Sequence, residues 1–176
     1  LAVAVTVLLA LVAIWRLLRP GRVRFQPWDG TGRARLTALG GRPPASADGI
    51  VFGEAERAGI AFRRLGRVLL GLGDPIGSDS DRVSAIWRLR DLAQQEGLSA
   101  AVWRAGPDLL KVYHDLGLTA LPLGEDGLPM PEAPQDTPFT DHYLVCLAER
   151  DLNLLLPLLP ALAGNEAHPP ATDKVA

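Results

Sequence analysis

Asp74 is the residue of this 176-residue chain whose setting most suggests chemistry, because it lies in a turn between a strand pattern and a helix pattern. The turn 72–77 reads LGDPIG and has the position of a phosphate-binding loop. Pro75 has no amide proton and Asp74 is negatively charged, and both features are unfavourable for holding an anion. Neither the glycine spacing of a dinucleotide loop nor the lysine of a P-loop is present. We therefore predict a rigid turn, with Gly73 at a positive φ and Asp74 bonded to neighbouring amides.

The single cysteine and the three histidines predict neither a metal site nor a nucleophile. Cys146 lies in the apolar run YLVCLA, which favours a buried thiol, and one cysteine cannot form an internal disulfide. His114, His142 and His168 show no ligand spacing with the cysteine or with one another. We expect no metal and no cofactor.

The residues around Asp74 predict the strands and the helix that hold it. Residues 47–52, 59–64 and 67–72 are short apolar runs with polar connections, which is typical of an antiparallel meander. A helix follows, with Ser80 or Asp81 as its N-cap and Gly97 as its stop. Its apolar positions recur at helical spacing, at Val83, Ile86, Trp87, Leu89, Leu92 and Ala93.

A second helix is predicted to carry Tyr113. Residues 100–103 form a compact strand, and residues 106–108, which read GPD, are a favourable helix start. Gly117 ends that helix, and residues 119–123 form the last clear strand of the unit. The whole pattern predicts an α/β (α+β) fold with a mixed sheet and flanking helices.

The N-terminal residues 1–18 are predicted to form a transmembrane helix. The first fifteen carry no charge, and a short span needs about 17 apolar residues. A basic cluster follows the run, which with the positive-inside rule places residues after 20 in the cytoplasm and the helix in the cell inner membrane. The cluster comprises Arg16, Arg19, Arg22 and Arg24. A secretory signal peptide would have its basic residues before the apolar run, and a buried core helix is the other alternative.

Charge is unevenly divided along the chain. Residues 1–70 carry a balance of +7 and residues 71–176 a balance of −9, although the net charge is only −2. A basic region after a membrane helix is attracted to anionic phospholipid, so the four arginines are predicted to contact lipid headgroups or the membrane surface. Attraction to RNA and a role in topology alone are the alternatives.

The remaining regions are predicted from composition. Residues 19–46 are a basic connector, and residues 47–127 contain the strands and helices described above. Residues 128–141 are a proline-rich linker. Residues 142–164 contain a strand and a short apolar helix interrupted at Pro157 and Pro160, and residues 165–176 are a disordered tail.

The run LLKVYHDLGLTALPLGED, which contains Tyr113, resembles the closing helix and strand of acyltransferases of the GCN5-related type. That resemblance implies a general-acid role for Tyr113 towards a leaving group. Leu118 stands where the family usually has phenylalanine, and the glycine-rich coenzyme A loop is absent.

A closer resemblance is to the cytoplasmic domain of MprF-type phosphatidylglycerol lysyltransferases. It covers residues 10–127, through GRVLLGLGDPIG, IWRLRDLAQQEG and VYHDLGLTALPLGED. It implies transfer of an aminoacyl group from charged tRNA to the headgroup of phosphatidylglycerol by two tandem acyltransferase-like folds, with Asp74 and Tyr113 as candidate catalytic residues. The implied partners are anionic phospholipid, aminoacyl-tRNA and a second acyltransferase-like domain.

Two functions remain open at this stage. In the first, the chain is the membrane-anchored first half of a phosphatidylglycerol aminoacyltransferase and is incomplete as an enzyme. In the second, it is a non-catalytic membrane-anchored module that binds lipid or protein. The apolar residues 152–162 either complete the core of the domain or dock to a neighbour.

Overall fold

The computed structural model describes residues 2–18, 21–130, 142–146 and 149–167, which form one sheet with helices on both faces. The elements are α1 (Ala2–Leu18), β1 (Gln26–Pro27), α2 (Gly30–Ala38), β2 (Gly49–Phe52), β3 (Ala58–Leu65), β4 (Val68–Leu72), β5 (Ile76–Gly77), α3 (Asp79–Gln95), β6 (Ser99–Ala105), α4 (Leu110–Asp115), β7 (Thr119–Pro122), β8 (Tyr143–Cys146), α5 (Glu149–Leu155) and α6 (Leu159–Ala167). A 3-10 turn, Pro107–Leu109, leads into α4. The predicted α/β class with a mixed sheet is confirmed.

The sheet is antiparallel except at its centre. Its strand order is β1-β2-β3-β4-β6-β8-β7, and β5 pairs with β3 beside this path. The strands β2, β3 and β4 form the predicted antiparallel meander. β4 and β6 are parallel, so the chain must cross over between them, and α3 is that crossover. β8 lies between β6 and β7, antiparallel to both.

Side chains alternate between the two faces of the sheet, and each face has its own apolar core. On one face Leu69, Val102 and Val145 pack beneath α3 and α4. On the other face, Leu70, Ala101 and Leu144 pack beneath α5 and α6. On that same face, α2 covers β2 and β3. Four of the six apolar positions predicted for α3 are buried, whereas the other two, Val83 and Trp87, are each 39% exposed.

Asp81 does not cap α3 as the sequence predicts. The helix begins at Asp79 after Ser78, and the Asp81 side chain points instead to the turn between β2 and β3. Its carboxylate accepts three backbone N–H bonds there, from Ala55 at 3.2 Å, Arg57 at 2.8 Å and Ala58 at 3.1 Å. The residue is only 2% exposed, so these amides replace water around the charge.

The predicted N-terminal helix is formed as α1, and the apolar side chains from Val5 to Ile14 are between 45% and 64% exposed. Among the described helices, none is both long and apolar enough to span a membrane. The transmembrane role of residues 1–18 therefore stays a prediction. Arg22 and Arg24 are exposed beyond the helix, whereas the Arg16 side chain and Arg19 lie outside the described residues.

The apolar C-terminal segment completes the core and does not protrude. Leu155, Leu159 and Leu162 are buried against side chains of β4, β6 and β8. The break at Pro157 is confirmed, because it separates α5 from α6. Pro160 does not interrupt the helix as predicted, because it occupies the first turn of α6, where a missing N–H costs nothing. Most of the predicted linker (131–141) and the end of the predicted tail (168–176) lie outside the described residues.

Replacing Asp81 by asparagine is expected to lower the free energy of unfolding by about 3 kcal/mol, because the amide replaces the negative charge that three N–H groups share. Chemical denaturation measures the change. Asp79→Asn is the matched control, since that side chain is 93% exposed in the same helical turn. Equal losses in the two variants would contradict a structural role for Asp81.

Replacing Leu159 by alanine is expected to lower the free energy of unfolding by about 3 kcal/mol, because it leaves a cavity beneath α6. Leu154→Ala is the control, as Leu154 is 36% exposed on the preceding helix. If Leu159→Ala unfolds at the same denaturant concentration as the unmodified chain, the segment does not contribute to the core.

Candidate functional site

The centre of the candidate site is the edge of the sheet where the parallel strands β4 and β6 both end. The chain leaves β4 through Gly73, whose φ is +87°, and its amide donates a 2.8 Å bond to the carbonyl of Trp103 in β6. Near the end of β6, Arg104 has a φ of +59°, and the register with β8 shifts between Val102 and Ala105. Two irregular backbones thus meet at one edge, and the positive φ predicted for Gly73 is confirmed.

The two residues that the sequence singles out are bonded to each other. The Tyr113 hydroxyl donates a 2.7 Å bond to Oδ1 of Asp74, and the Gly106 amide donates a 2.8 Å bond to Oδ2. The Arg82 guanidinium lies 3.8 Å from the same Oδ2. The prediction that Asp74 bonds neighbouring amides is wrong, because these hydrogen-bond partners are 32 and 39 residues away. Asp74 therefore ties the turn after β4 to the start of the 3-10 turn, at Gly106, and to the body of α4, at Tyr113.

Burial controls the protonation of both groups. Burial raises the pKa of the Asp74 carboxyl, and the hydrogen bonds from Tyr113 and Gly106 and the charge of Arg82 oppose that rise. Burial, followed by the negative charge of Asp74, raises the pKa of the Tyr113 phenol well above its ordinary value. Both causes hold the proton of this hydrogen bond on the phenol.

Tyr113 is fully buried, so its hydroxyl meets Asp74 and not solvent. A general acid must reach the group that it protonates, within hydrogen-bond distance or through one water. The arrangement stabilises the edge of the sheet, and the catalytic roles predicted for Tyr113 and Asp74 stay predictions.

A groove of about 1010 Å³ opens beside this pair, over the ends of β4 and β6. Leu72, Gly73, Trp103 and Arg104 lie at these strand ends. One side is formed by α2 and the loop that follows it, and the other by residues 125–128, His142 and α6. The lining residues are Arg33, Arg42, Pro43, Pro44, Ala45, Leu72, Gly73, Trp103, Arg104, Glu125, Asp126, Leu128, His142, Pro160, Ala163 and Gly164. Asp74 and Tyr113 are not among them.

Local interactions fix both sides of the groove. The Asp29 side chain caps α2 by accepting a 2.7 Å bond from the Gly32 amide, and this orients the helix that carries Arg33. On the opposite side the Trp103 indole donates a 2.9 Å bond to the carbonyl of Gly127. Gly127 has a φ of +75°, and a Cβ there would lie 2.8 Å from Cζ2 of Trp103 and 2.8 Å from Nε of Arg104. Only glycine allows this turn to pack so closely on the strand.

Sequence reasoning missed the charged residues of the groove. Arg33, Arg42, Arg104, Glu125 and His142 come from five separate segments of the chain. The basic excess of residues 1–70 was the one signal for the first two, and it does not distinguish them from other exposed arginines. Arg22 and Arg24, the described members of the predicted lipid-binding cluster, do not line the groove.

Within the described residues, no group of three or more metal-ligating side chains comes together. Cys146 is buried as predicted, and burial raises the pKa of its thiol. The site therefore offers a groove with charged walls and an adjacent buried tyrosine–aspartate pair.

In the part of the chain that the structure describes, the mixed sheet, its one parallel pair and its flanking helices form a fold like that of GCN5-related acyltransferases. A solved structure of L-PGS from Bacillus licheniformis aligns with a TM-score of 0.51 at 24% identity, over 56% of this chain and 32% of that chain. This likeness confirms the predicted fold.

Sequence comparison gives a narrower likeness for one part of the chain. Residues 46–132 match the family model described as phosphatidylglycerol lysyltransferase, C-terminal. The chain is 34% identical over 82 residues to the lysylphosphatidylglycerol biosynthesis bifunctional protein LysX of Mycobacterium ulcerans, and 35% identical over 79 residues to that of Rhodococcus opacus. The matches cover 47% and 45% of this chain. The MprF-type acyltransferase-like domain that the sequence indicates is thus confirmed over residues 46–132. The chain spans only 7% of the length of either LysX protein.

The raised pKa of Asp74 predicts a pH-dependent stability. Because this pKa is higher in the folded chain, the contribution of Asp74 is fully present below its unfolded pKa of about 3.9 and is lost as pH rises through the folded pKa. Asp74→Asn is expected to remove that part of the pH dependence. Denaturation across this pH range measures it, with exposed Asp115→Asn as the control. An unchanged pH profile in Asp74→Asn would contradict the assignment.

Proposed function

We propose that this chain is the lipid-binding part of a phosphatidylglycerol aminoacyltransferase, which transfers a lysyl group from charged tRNA to the lipid headgroup. The observation that carries the proposal is the groove at the ends of β4 and β6, whose side formed by α2 and its loop presents Arg33 and Arg42. The strand ends that form its floor lie within residues 46–132, which match a family of phosphatidylglycerol lysyltransferases, and both arginines precede that match.

The lining of the groove suits a phospholipid headgroup. The guanidinium groups of Arg33 and Arg42 match the charge and geometry of a phosphodiester. Leu72 and Leu128, which are both half-buried, provide an apolar surface for the glycerol and the first carbons of the acyl chains. The ligand would therefore be held through ionic hydrogen bonds to its phosphate and through apolar contacts to its glycerol and acyl carbons.

The N-terminal region would bring the groove to its substrate. The apolar surface of α1 is exposed, and Arg22 and Arg24 follow it as exposed cations. We propose that α1 contacts the lipid of the inner membrane, that the arginines contact anionic headgroups, and that the domain lies on the cytoplasmic side, where aminoacyl-tRNA is found.

The reaction is a transesterification. A headgroup hydroxyl attacks the ester carbonyl of the aminoacyl-tRNA, its proton passes to a base, and the terminal ribose oxygen of the tRNA leaves and takes up a proton. Catalysis needs alignment of the reactants, the base and a donor for the developing oxyanion. Tyr113 and Asp74 are bonded to each other and do not line the groove, which supports the proposal that a second acyltransferase-like domain supplies the remaining groups.

The same pair supports a second candidate function. If Tyr113 and Asp74 only hold the edge of the sheet, the domain is a non-catalytic module that binds lipid or protein. The full burial of Tyr113 favours this candidate over catalysis by the chain alone.

A lipid-extract assay tests the proposal. Membranes containing the chain receive phosphatidylglycerol and radiolabelled lysyl-tRNA or alanyl-tRNA, with and without the second acyltransferase-like domain of a phosphatidylglycerol lysyltransferase. We expect labelled lipid only when both parts are present. The double variant Arg33→Gln, Arg42→Gln is expected to lower the rate about tenfold through loss of charge-assisted bonds to the phosphate.

The matched control is Arg57→Gln with Arg67→Gln, because both arginines are exposed and neither lines the groove. Label formed by the chain alone, and lost in Tyr113→Phe, would show that one fold suffices and would overturn the need for a second domain. Absence of label with both parts present would leave the binding module as the better reading.

A further inference from the structure

Arg104 reaches the groove because β6 contains one extra residue. Between the pairs Val102–Val145 and Ala105–Tyr143, three steps along β6 lie opposite two steps along β8. One more residue on one strand than on its antiparallel partner is the pattern of a β-bulge, which changes the direction of a side chain. The extra residue lies between Val102 and Ala105.

The bulge changes the face of the sheet to which these side chains belong. Val102 and Ala105 both belong to the core beneath α3 and α4, whereas Trp103 belongs to the core beneath α5 and α6. In a regular strand, residue 104 would lie on the α3 and α4 face, because neighbouring side chains point to opposite faces. Arg104 instead lines the groove beside Trp103. The bulge therefore places a cation on the groove face.

The backbone at Arg104 is strained by this placement. Its φ of +59° lies in the left-handed region, which is unfavourable for a residue with a Cβ. In the part of the chain that the structure describes, Glu56 is the other non-glycine residue with a positive φ. Strain of this kind is concentrated at functional sites, where the surrounding structure maintains it. A functional reason for the conformation of Arg104 is therefore sought in the groove.

The Arg104 guanidinium is held on two sides. Its Cζ lies 4.7 Å from the centroid of the Trp103 ring. A Cβ on Gly127 would lie 2.8 Å from Nε and 3.0 Å from Nη2 of Arg104, so the turn approaches the guanidinium as closely as glycine allows. A cation held in this way loses little conformational freedom when it binds an anion.

Arg104 also decides the balance of charge in the groove. Among the described lining residues, five are arginine, glutamate or aspartate, namely Arg33, Arg42, Arg104, Glu125 and Asp126. Three cations thus face two acids, and without Arg104 the two signs would be equal. Because Arg104 packs on Gly127, its charge lies beside the turn that carries both acids and offsets them there.

We propose that Arg104 binds the phosphate oxygens of the ligand in the groove and gives the groove its preference for an anion. The bulge and the left-handed backbone are then the structural requirement for placing this cation on the groove face. The inference rests on the proposed function and adds to it the residue that determines the preference for a phosphate-bearing lipid.

Titration calorimetry tests the inference on the full chain in uncharged detergent. The probes are dihexanoyl phosphatidylglycerol, dihexanoylglycerol, which has no phosphate, and inorganic phosphate. We expect Arg104→Gly and Arg104→Ala each to weaken phosphatidylglycerol binding about tenfold, as for the loss of one charge-assisted hydrogen bond. Arg104→Lys keeps the charge and is expected to retain part of the affinity. Binding of dihexanoylglycerol is expected to be unchanged in all three variants.

Chemical denaturation separates this role from a purely structural one. Arg104→Gly is expected to unfold at a higher denaturant concentration than Arg104→Ala, because glycine adopts a positive φ readily. Glu56→Gly and Glu56→Ala are the matched controls, since Glu56 has a φ of +55° and does not line the groove. They are expected to show the same order of stability and unchanged lipid binding. Unmodified affinity in Arg104→Gly would overturn the inference and make Arg104 a structural partner of the acidic turn.

The arginines of the α2 side separate this inference from the proposed function. If Arg33→Gln with Arg42→Gln weakens phosphatidylglycerol binding and Arg104→Gly does not, the inference is overturned and the proposed function stands. The reverse result supports the inference and contradicts the assignment of the phosphate to Arg33 and Arg42.

The other two probes identify the source of the phosphate. Equal binding of phosphatidylglycerol and dihexanoylglycerol to the unmodified chain overturns the inference, because the groove then has no preference for an anion. Displacement of phosphatidylglycerol by inorganic phosphate at a similar concentration supports the role of Arg104 but assigns the groove to free phosphate, which contradicts the proposed function.

Discussion

The parallel pairing of β4 and β6 is the constraint on which the rest of the structure depends. Parallel neighbours cannot be joined by a hairpin, so the chain needs the α3 crossover, and both strands then end at the same edge. An edge with two irregular strand ends must be held together. The Asp74 carboxylate does this by binding the Gly106 amide and the Tyr113 hydroxyl from the far side of the crossover. The groove lies over this edge, whose strand ends are held in place by these hydrogen bonds.

The sequence predicted the features that local physics determines. Gly73 at a positive φ, the meander of three strands and the stop of α3 before Gly97 follow from residue types within a few positions of one another. The burial of residues 152–162 was one of two alternatives, since an apolar run indicates that it is covered but not by what. In the structure the segment completes the core, because Leu159 and Leu162 pack against side chains of the sheet.

The features that sequence reasoning missed depend on distant partners. Asp81 has the right type and position for a helix cap, yet its carboxylate accepts hydrogen bonds from three backbone amides at the β2–β3 connection. The sequence around Asp74 favours hydrogen bonds to amides of the same turn, but its partners, Gly106 and Tyr113, follow β6 in the chain. Arg33, Glu125 and His142 belong to no motif at all. They meet only because α2 and the turn after β7 flank the same pair of strands.

Tyr113 does not line the groove, so the requirements for proton transfer and for ligand binding are considered separately. A buried phenol that donates to a carboxylate of raised pKa is a poor proton donor to a substrate, because both burial and the carboxylate charge hold its proton in place. Binding of a headgroup does not require a proton donor, since it needs only fixed charges beside apolar side chains. The tyrosine–aspartate pair then contributes rigidity at the strand ends, and under the proposed function the arginines of the groove contribute recognition of the headgroup. Under that proposal the groups that stabilise the edge are distinct from those that contact the ligand, so a change in the arginines leaves the edge intact.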